Sequence, residues 1–183
     1  MPSLSIRKLP PAPAPAGQTL RRARLRAGLL YWVLIPAATI GSGWLCDRLL
    51  PTWQRGGWTV PAGLLLVGAG VALVQKATAD LARYGAGTPA PQAPAKRLVT
   101  VGCYAGCRHP MFLGYDLAAW GVGLLLASPG MLLISLPVML LLQVRFLYRE
   151  EMLLEKRFHQ AWRDYRARVP LLVPRPFHSR GVR

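Results

Sequence analysis

Carboxylates are scarce in this chain: seven Asp and Glu stand against 23 Lys and Arg, for a formal charge of +16. Cysteine is scarcer still, confined to Cys46, Cys103 and Cys107. Three cysteines make no disulfide framework. Cys103, Cys107 and His109 lie close together, but their spacing matches no common zinc pattern and no further ligand cluster accompanies them, so no metal is expected. Internal repeats are absent as well, and 183 residues leave room for one domain. What is abundant is apolar: 52% of residues are hydrophobic. In a small soluble protein that content and a charge of +16 conflict unless the two are segregated along the chain.

They are segregated. Four apolar blocks, about Ala27 to Leu50, Gly57 to Val74, Pro110 to Ala127 and Met131 to Leu147, approach the roughly 20 residues that cross a bilayer. The reading is an all-α integral-membrane bundle of about four transmembrane helices, and a soluble bundle is set aside because such runs seldom recur four times in a short chain. Basic residues then orient the bundle. Six (Arg7, Lys8, Arg21, Arg22, Arg24, Arg26) precede the first block, five (Lys76, Arg83, Lys96, Arg97, Arg108) separate the second from the third, and ten follow Gln143. Only Arg48 and Arg55 fall in the first connection, and none in the turn Ser128 to Gly130. Both termini are therefore expected in the cytoplasm. The same distribution removes the nucleic-acid reading that a pI near 11.2 invites, because attraction to anionic lipid headgroups accounts for the charge.

Residues 1–26 form a basic, Pro/Ala-rich arm expected to be a disordered cytoplasmic tether, and residues 27–147 the transmembrane domain with a cytoplasmic loop over 76–109. Within that loop, Gly87 to Pro94 is either a linker or an ordered flap. In residues 148–183, Leu154, Phe158, Trp162, Tyr165 and Val169 recur at helical spacing, which predicts an amphipathic helix on the membrane surface or against the bundle. Trp162 and Tyr165 are expected at headgroup level, and the helix should stop near Val169, ahead of Pro170.

Reactive side chains collect at the mouth of the third block. Pro110 suits the first turn of a helix, whose unpaired N–H groups favour a carboxylate or phosphate. Arg108 and His109 add donors there, unless the first merely snorkels to lipid and the second caps the helix. The short turn before Met131 makes the third and fourth helices antiparallel neighbours, bringing Glu150 and Glu151 back to the same end. An anion site then faces paired carboxylates, an arrangement that suits a ligand bearing both a carboxylate and a cation, or equally a salt-bridge network of Arg108, Arg145, Arg149 and the glutamates. Asp116, about 9 Å further along the third helix at 1.5 Å per residue, is a functional suspect as an intramembrane acid.

"VTVGCYAGCRHPMFLGY" resembles the pattern V-T-x-G-x-Y-x-x-x-R-H-P-x-Y-x-G of the isoprenylcysteine carboxyl methyltransferases and their bacterial relatives, related in turn to phospholipid N-methyltransferases. "REEMLLEKRFHQAWRDYRARVPLLVP" resembles that family's second block, so the likeness covers about Leu98 to Pro174. It implies an integral-membrane enzyme that binds S-adenosylmethionine at the cytoplasmic face and methylates a lipophilic or lipid-modified acceptor. By the same resemblance Tyr104, Arg108, His109 and Gly114 belong to the first cofactor-binding block, and Glu150 and Glu151 to the second. Arg145 and Arg149 are placed near the acceptor or its negative charge, and Glu150 is a candidate base for an amine acceptor, whereas a carboxylate acceptor needs none. Two departures stand out: Phe112 occupies a usual tyrosine position, and His159 a usual glycine. Amine N-methylation, a sterol-reductase-like enzyme using a nicotinamide cofactor, and a non-catalytic membrane adaptor are the competing readings.

Overall fold

The computed structural model describes residues 33–50, 56–87 and 94–173. The expected basic arm, the start of the first apolar block, most of the Gly87 to Pro94 linker and the tail beyond residue 173 lie outside the described residues. The described chain is all-helical: α1 (Ile35–Asp47), α2 (Thr59–Gly85), α3 (Pro110–Leu126) and α4 (Leu136–Arg168), with a 3-10 turn at Gly102–Ala105. Among the described residues two helices are long and apolar enough to cross a membrane, α2 and the continuous helix Met131–Arg168, while α3 is a shorter apolar helix. Leu64, Leu65 and Val71 of α2 and Val138, Leu141 and Leu142 of α4 are all exposed, an apolar exterior suited to lipid.

Small residues let α2 and α3 approach closely. Gly63 and Gly70 of α2 face Gly121 and Gly114 of α3 in antiparallel register. A Cβ on Gly121 would lie 2.7 Å from the Gly63 carbonyl oxygen, and one on Gly114 would lie 2.8 Å from that of Gly70. Neither approach tolerates a side chain, and in lipid such van der Waals contact is the main force between helices. α1 uses the same device against the start of the last helix. A Cβ on Gly43 would meet that of Met131 at 2.7 Å, Ser42 Oγ lies 2.8 Å from Ser135 Oγ, and the Asp47 carboxylate accepts from the Gly130 N–H at 2.6 Å.

The turn between α3 and α4 follows from its residues. Ala127 takes the left-handed conformation that ends α3, and the Ser128 hydroxyl accepts from the Met131 N–H at 3.0 Å, capping the next helix. A π-helical turn at Met131–Ser135 leads into α4; wider winding accommodates Pro137, which lacks an N–H and would crowd the carbonyl one turn earlier.

α4 differs from expectation. No boundary separates a transmembrane segment ending at Leu147 from a distinct surface helix, because the helix runs on to a break at His159 (φ 49°, ψ −122°). That backbone region suits glycine, which accounts for the glycine usual there in the resembling family, and histidine holds it at a cost on the order of 1–3 kcal/mol. Beyond the break, Trp162 and Tyr165 are buried at 1% and 2% exposure rather than standing at headgroup level. The break turns their face onto the loop before α3.

Two outcomes check this packing. Gly114→Val should lower stability by at least about 2 kcal/mol, as overpacking does, whereas Gly68→Ala, with open space around its Cβ position, should be neutral in the same unfolding titration. His159→Gly should raise stability by about 1 kcal/mol by relieving the strained φ, read as a higher unfolding midpoint in detergent.

Candidate active site

The loop before α3 is held from two sides. Asp80 of α2 accepts the Cys103 N–H at 2.9 Å. Gly102 stands at φ 64°, where any Cβ would overlap the Asp80 carboxylate. From the other side the Tyr165 hydroxyl donates to the Tyr104 carbonyl at 2.6 Å. The Arg108 N–H donates to the Pro170 carbonyl at 2.9 Å and the His109 N–H to the Leu171 carbonyl at 3.2 Å. The segment entering α3 is thus stitched to the segment leaving α4. His109 itself, at φ −126° and ψ 61°, lies outside the helical region that the proline after it disfavours, and no side chain caps α3.

Glu151 sits at the centre, 2% exposed. Its Oε1 lies 3.2 Å from Arg108 Nη1 and 3.5 Å from His109 Nε2, and its Oε2 3.7 Å from Arg166 Nε. These groups lie close together without completing their hydrogen bonds. Among the described residues, both Glu151 oxygens, Arg108 Nε and Nη1, His109 Nε2, Glu150 Oε2, the Tyr104 hydroxyl and Trp162 Nε1 are buried with no hydrogen-bond partner. Each such group costs about 1–3 kcal/mol when left unmade. So many in one place make a site that a polar ligand with donors and acceptors of its own would complete. Burial pulls the Arg108 guanidinium below its ordinary range, which Glu151 opposes. Burial also pushes the Cys107 thiol up to about 11, so it stays protonated at neutral pH and is no nucleophile.

Of the residues expected to form the site, Tyr104, Arg108, His109, Glu150 and Glu151 come together, with Glu150 in electrostatic reach of His109 and Tyr104. Gly114 does not join them as a ligand-facing group: it packs on Gly70 and Val74 of α2, and its missing Cβ is accounted for by that seam. Arg145 and Arg149 are exposed, lining a shallow open groove on α4 with Leu141, Val144 and Tyr148, so the network around Glu151 recruits Arg166 in their place. Sequence reasoning missed Arg166, and it assigned Trp162 and Tyr165 to lipid. It also passed over Asp80, although the one acid in α2 was a signal.

Comparison with known proteins meets this geometry. The phospholipid methyltransferase family model matches residues 58–161, more than half of the chain and all of α2, α3 and the Glu150–Glu151 pair. The chain belongs to that family. Methanethiol S-methyltransferase 2 of Bradyrhizobium diazoefficiens is 36% identical over 77 residues, covering 42% of this chain and 29% of that protein. A eukaryotic intramembrane Ras methyltransferase, isoprenylcysteine carboxyl methyltransferase, shares the fold with a TM-score of 0.58 at 20% identity, over 78% of this chain and 52% of that one. The chain therefore spans less than two thirds of the length of either relative.

Within this family member, Glu151→Ala should be worse than the loss of one contact, because it leaves the buried Arg108 uncompensated. The expected cost is about 3–5 kcal/mol, measured by unfolding in detergent; Glu155→Ala, on a half-exposed pair with Arg163, should cost well under 1 kcal/mol, about what a surface pair contributes.

Proposed function

We propose that the chain is an integral-membrane methyltransferase that takes its methyl group from S-adenosylmethionine and passes it to a lipophilic acceptor. The observation that carries this is the buried polar cluster at the mouth of α3, whose unfilled donors and acceptors are of both signs. The cofactor's amino-acid end carries both signs too. Glu150, with a buried oxygen lacking a partner, would accept from an ammonium or a ribose hydroxyl; Arg108 and the uncapped first turn of α3 would donate to a carboxylate. Tyr104, His109 and Trp162 offer further polar atoms, while Glu151 holds Arg108 and His109 in place. When bound, the cofactor supplies a sulfonium-activated methyl, leaving the protein to orient the acceptor and exclude water.

The expected topology fits this role. Four crossings with both termini and the cluster at the cytoplasmic face would follow from 21 of 23 basic residues lying on one side. An acceptor dissolved in the bilayer would reach the site sideways past α4, where Arg145, Tyr148 and Arg149 border the groove. An isoprenylcysteine carboxylate, the acceptor named for the structural relative, would meet the two arginines there. S-methylation, named for the bacterial relative, would need no such cation.

The test is methyl transfer itself. Purified protein in lipid nanodiscs, given methyl-labelled S-adenosylmethionine and a panel of lipophilic carboxylates, thiols and amines, should yield an organic-extractable labelled product, and Arg108→Ala should lower that yield at least about a hundredfold. Absence of label from every acceptor, with folded protein that binds a nicotinamide cofactor instead, would overturn the proposal in favour of a reductase.

A further inference from the structure

The groove on the outer side of α4 is not absorbed by the cluster around Glu151. Leu141, Val144, Arg145, Tyr148 and Arg149 line it, at positions i, i+3, i+4, i+7 and i+8, so a single stripe of the helix forms it. The stripe is ordered by chemistry. Leucine and valine stand at its inner end, and the two arginines flank a tyrosine at the end nearer Glu150 and Glu151. Leu141 and Arg149 are about 12 Å apart along the axis at 1.5 Å per residue.

Two observations set these arginines apart. The first is their lack of partners. Every other arginine of α4 has one: Arg157 lies over the Phe158 ring at 5.3 Å, Arg163 and Arg166 pair with Glu155 and Glu151, and Arg168 Nε donates to the Asp164 carbonyl at 3.0 Å. Arg145 and Arg149 meet no acid, ring or carbonyl among the described residues. The second is direction. Each stands two residues from Leu147, which is 0% exposed, and so projects about 160° round the helix from the face that α4 buries. Arg149 is equally far round from Glu151.

Two guanidinium groups one turn apart repel each other, and an anion between them turns that repulsion into attraction. A phosphodiester suits the place, because its oxygens match the guanidinium fork and the Tyr148 hydroxyl adds a donor. Below it Val144 and Leu141, the latter 72% exposed, continue as an apolar floor. A bare inorganic anion would use the arginines and not the floor; an apolar chain alone would leave the arginines unpaired. We propose that the groove holds one anionic glycerophospholipid as a resident ligand, its phosphate on Arg145 and Arg149 and an acyl chain along Val144 and Leu141. This lipid is not the methyl acceptor, since it sits on the reverse of α4 from the cluster. Its phosphate, held by two successive turns, keeps this end of α4 at headgroup depth. The inference stands independently of the methyltransferase reading.

The experiment titrates the full chain in detergent with phosphatidylglycerol or with phosphatidylcholine of the same acyl chains, and reads the lipid retained per protein by native mass spectrometry. Wild type should retain one phosphatidylglycerol at least about tenfold more tightly than phosphatidylcholine, within what two arginines at a membrane surface supply. Arg145→Gln combined with Arg149→Gln should abolish that preference. Arg157→Gln combined with Arg163→Gln, an equal change of charge away from the groove, should keep it. Leu141→Trp narrows the floor and alters no charge; it should weaken retention at least about fourfold, the effect of one chain methylene left uncovered. Arginines that merely reach bulk headgroups would be indifferent to that change. An unchanged unfolding midpoint reports that each variant is folded. Equal retention of the two lipids, loss of the preference in the Arg157 and Arg163 control, or full retention by Leu141→Trp would each overturn the inference. So would displacement of the lipid by glycerol phosphate, which would make the groove a free-phosphate site, or by an equal concentration of a long-chain carboxylate, which would give it to the acceptor.

Discussion

One buried carboxylate organises the end of this protein at which α3 begins. Glu151 cannot sit at 2% exposure without charged and polar partners around it, and those it finds come from two places far apart in the chain: Arg108 and His109 at the entry to α3, Arg166 beyond the break in α4. Meeting its demand ties the loop before α3 to the segment after α4. The Tyr165 hydroxyl and the backbone pairing of Arg108 and His109 with Pro170 and Leu171 then close the same joint. Glu150, next in sequence, is left with an oxygen that this network does not satisfy. Glu151, although it stands in these ion pairs, likewise keeps both oxygens short of a hydrogen bond.

That joint has meaning only because the helices beneath it are set. The glycine seam between α2 and α3 fixes where α3 begins relative to Asp80, and Asp80 in turn fixes the Gly102 turn that leads to Tyr104. Along the opposite side of α3, larger side chains meet it from the helix that starts at Met131: Leu132 against Gly123, Gln143 against Asp116, Phe146 against Phe112. A tight seam thus lies on one side of α3 and a seam of larger side chains on the other.

Much of this was legible in the sequence. Pro110 announced the start of α3, the run from Ser128 to Gly130 announced an antiparallel return, and charge placement predicted that Arg108, His109 and the two glutamates would converge. The remainder was hidden for identifiable reasons. Amphipathic periodicity over Leu154 to Val169 is blind to a backbone break, and the usual glycine that His159 replaces was the hint of a positive φ there. Without the break, Trp162 and Tyr165 read as lipid anchors. Gly114 was legible as a required glycine, but a motif cannot say whether the missing Cβ makes room for a ligand or for a neighbouring helix. The four crossings exceed what the described helices display, since α1 is only 13 residues long and the chain preceding it is outside the described residues.

The central claim is that the cluster around Glu150 and Glu151 receives S-adenosylmethionine, and calorimetric titration of the cofactor into the purified protein tests it most directly. The account predicts saturable one-to-one binding that Glu150→Gln weakens at least tenfold while the thermal unfolding midpoint stays unchanged. Tight binding that Glu150→Gln leaves untouched would place the cofactor elsewhere, and no binding by folded protein would contradict the account outright.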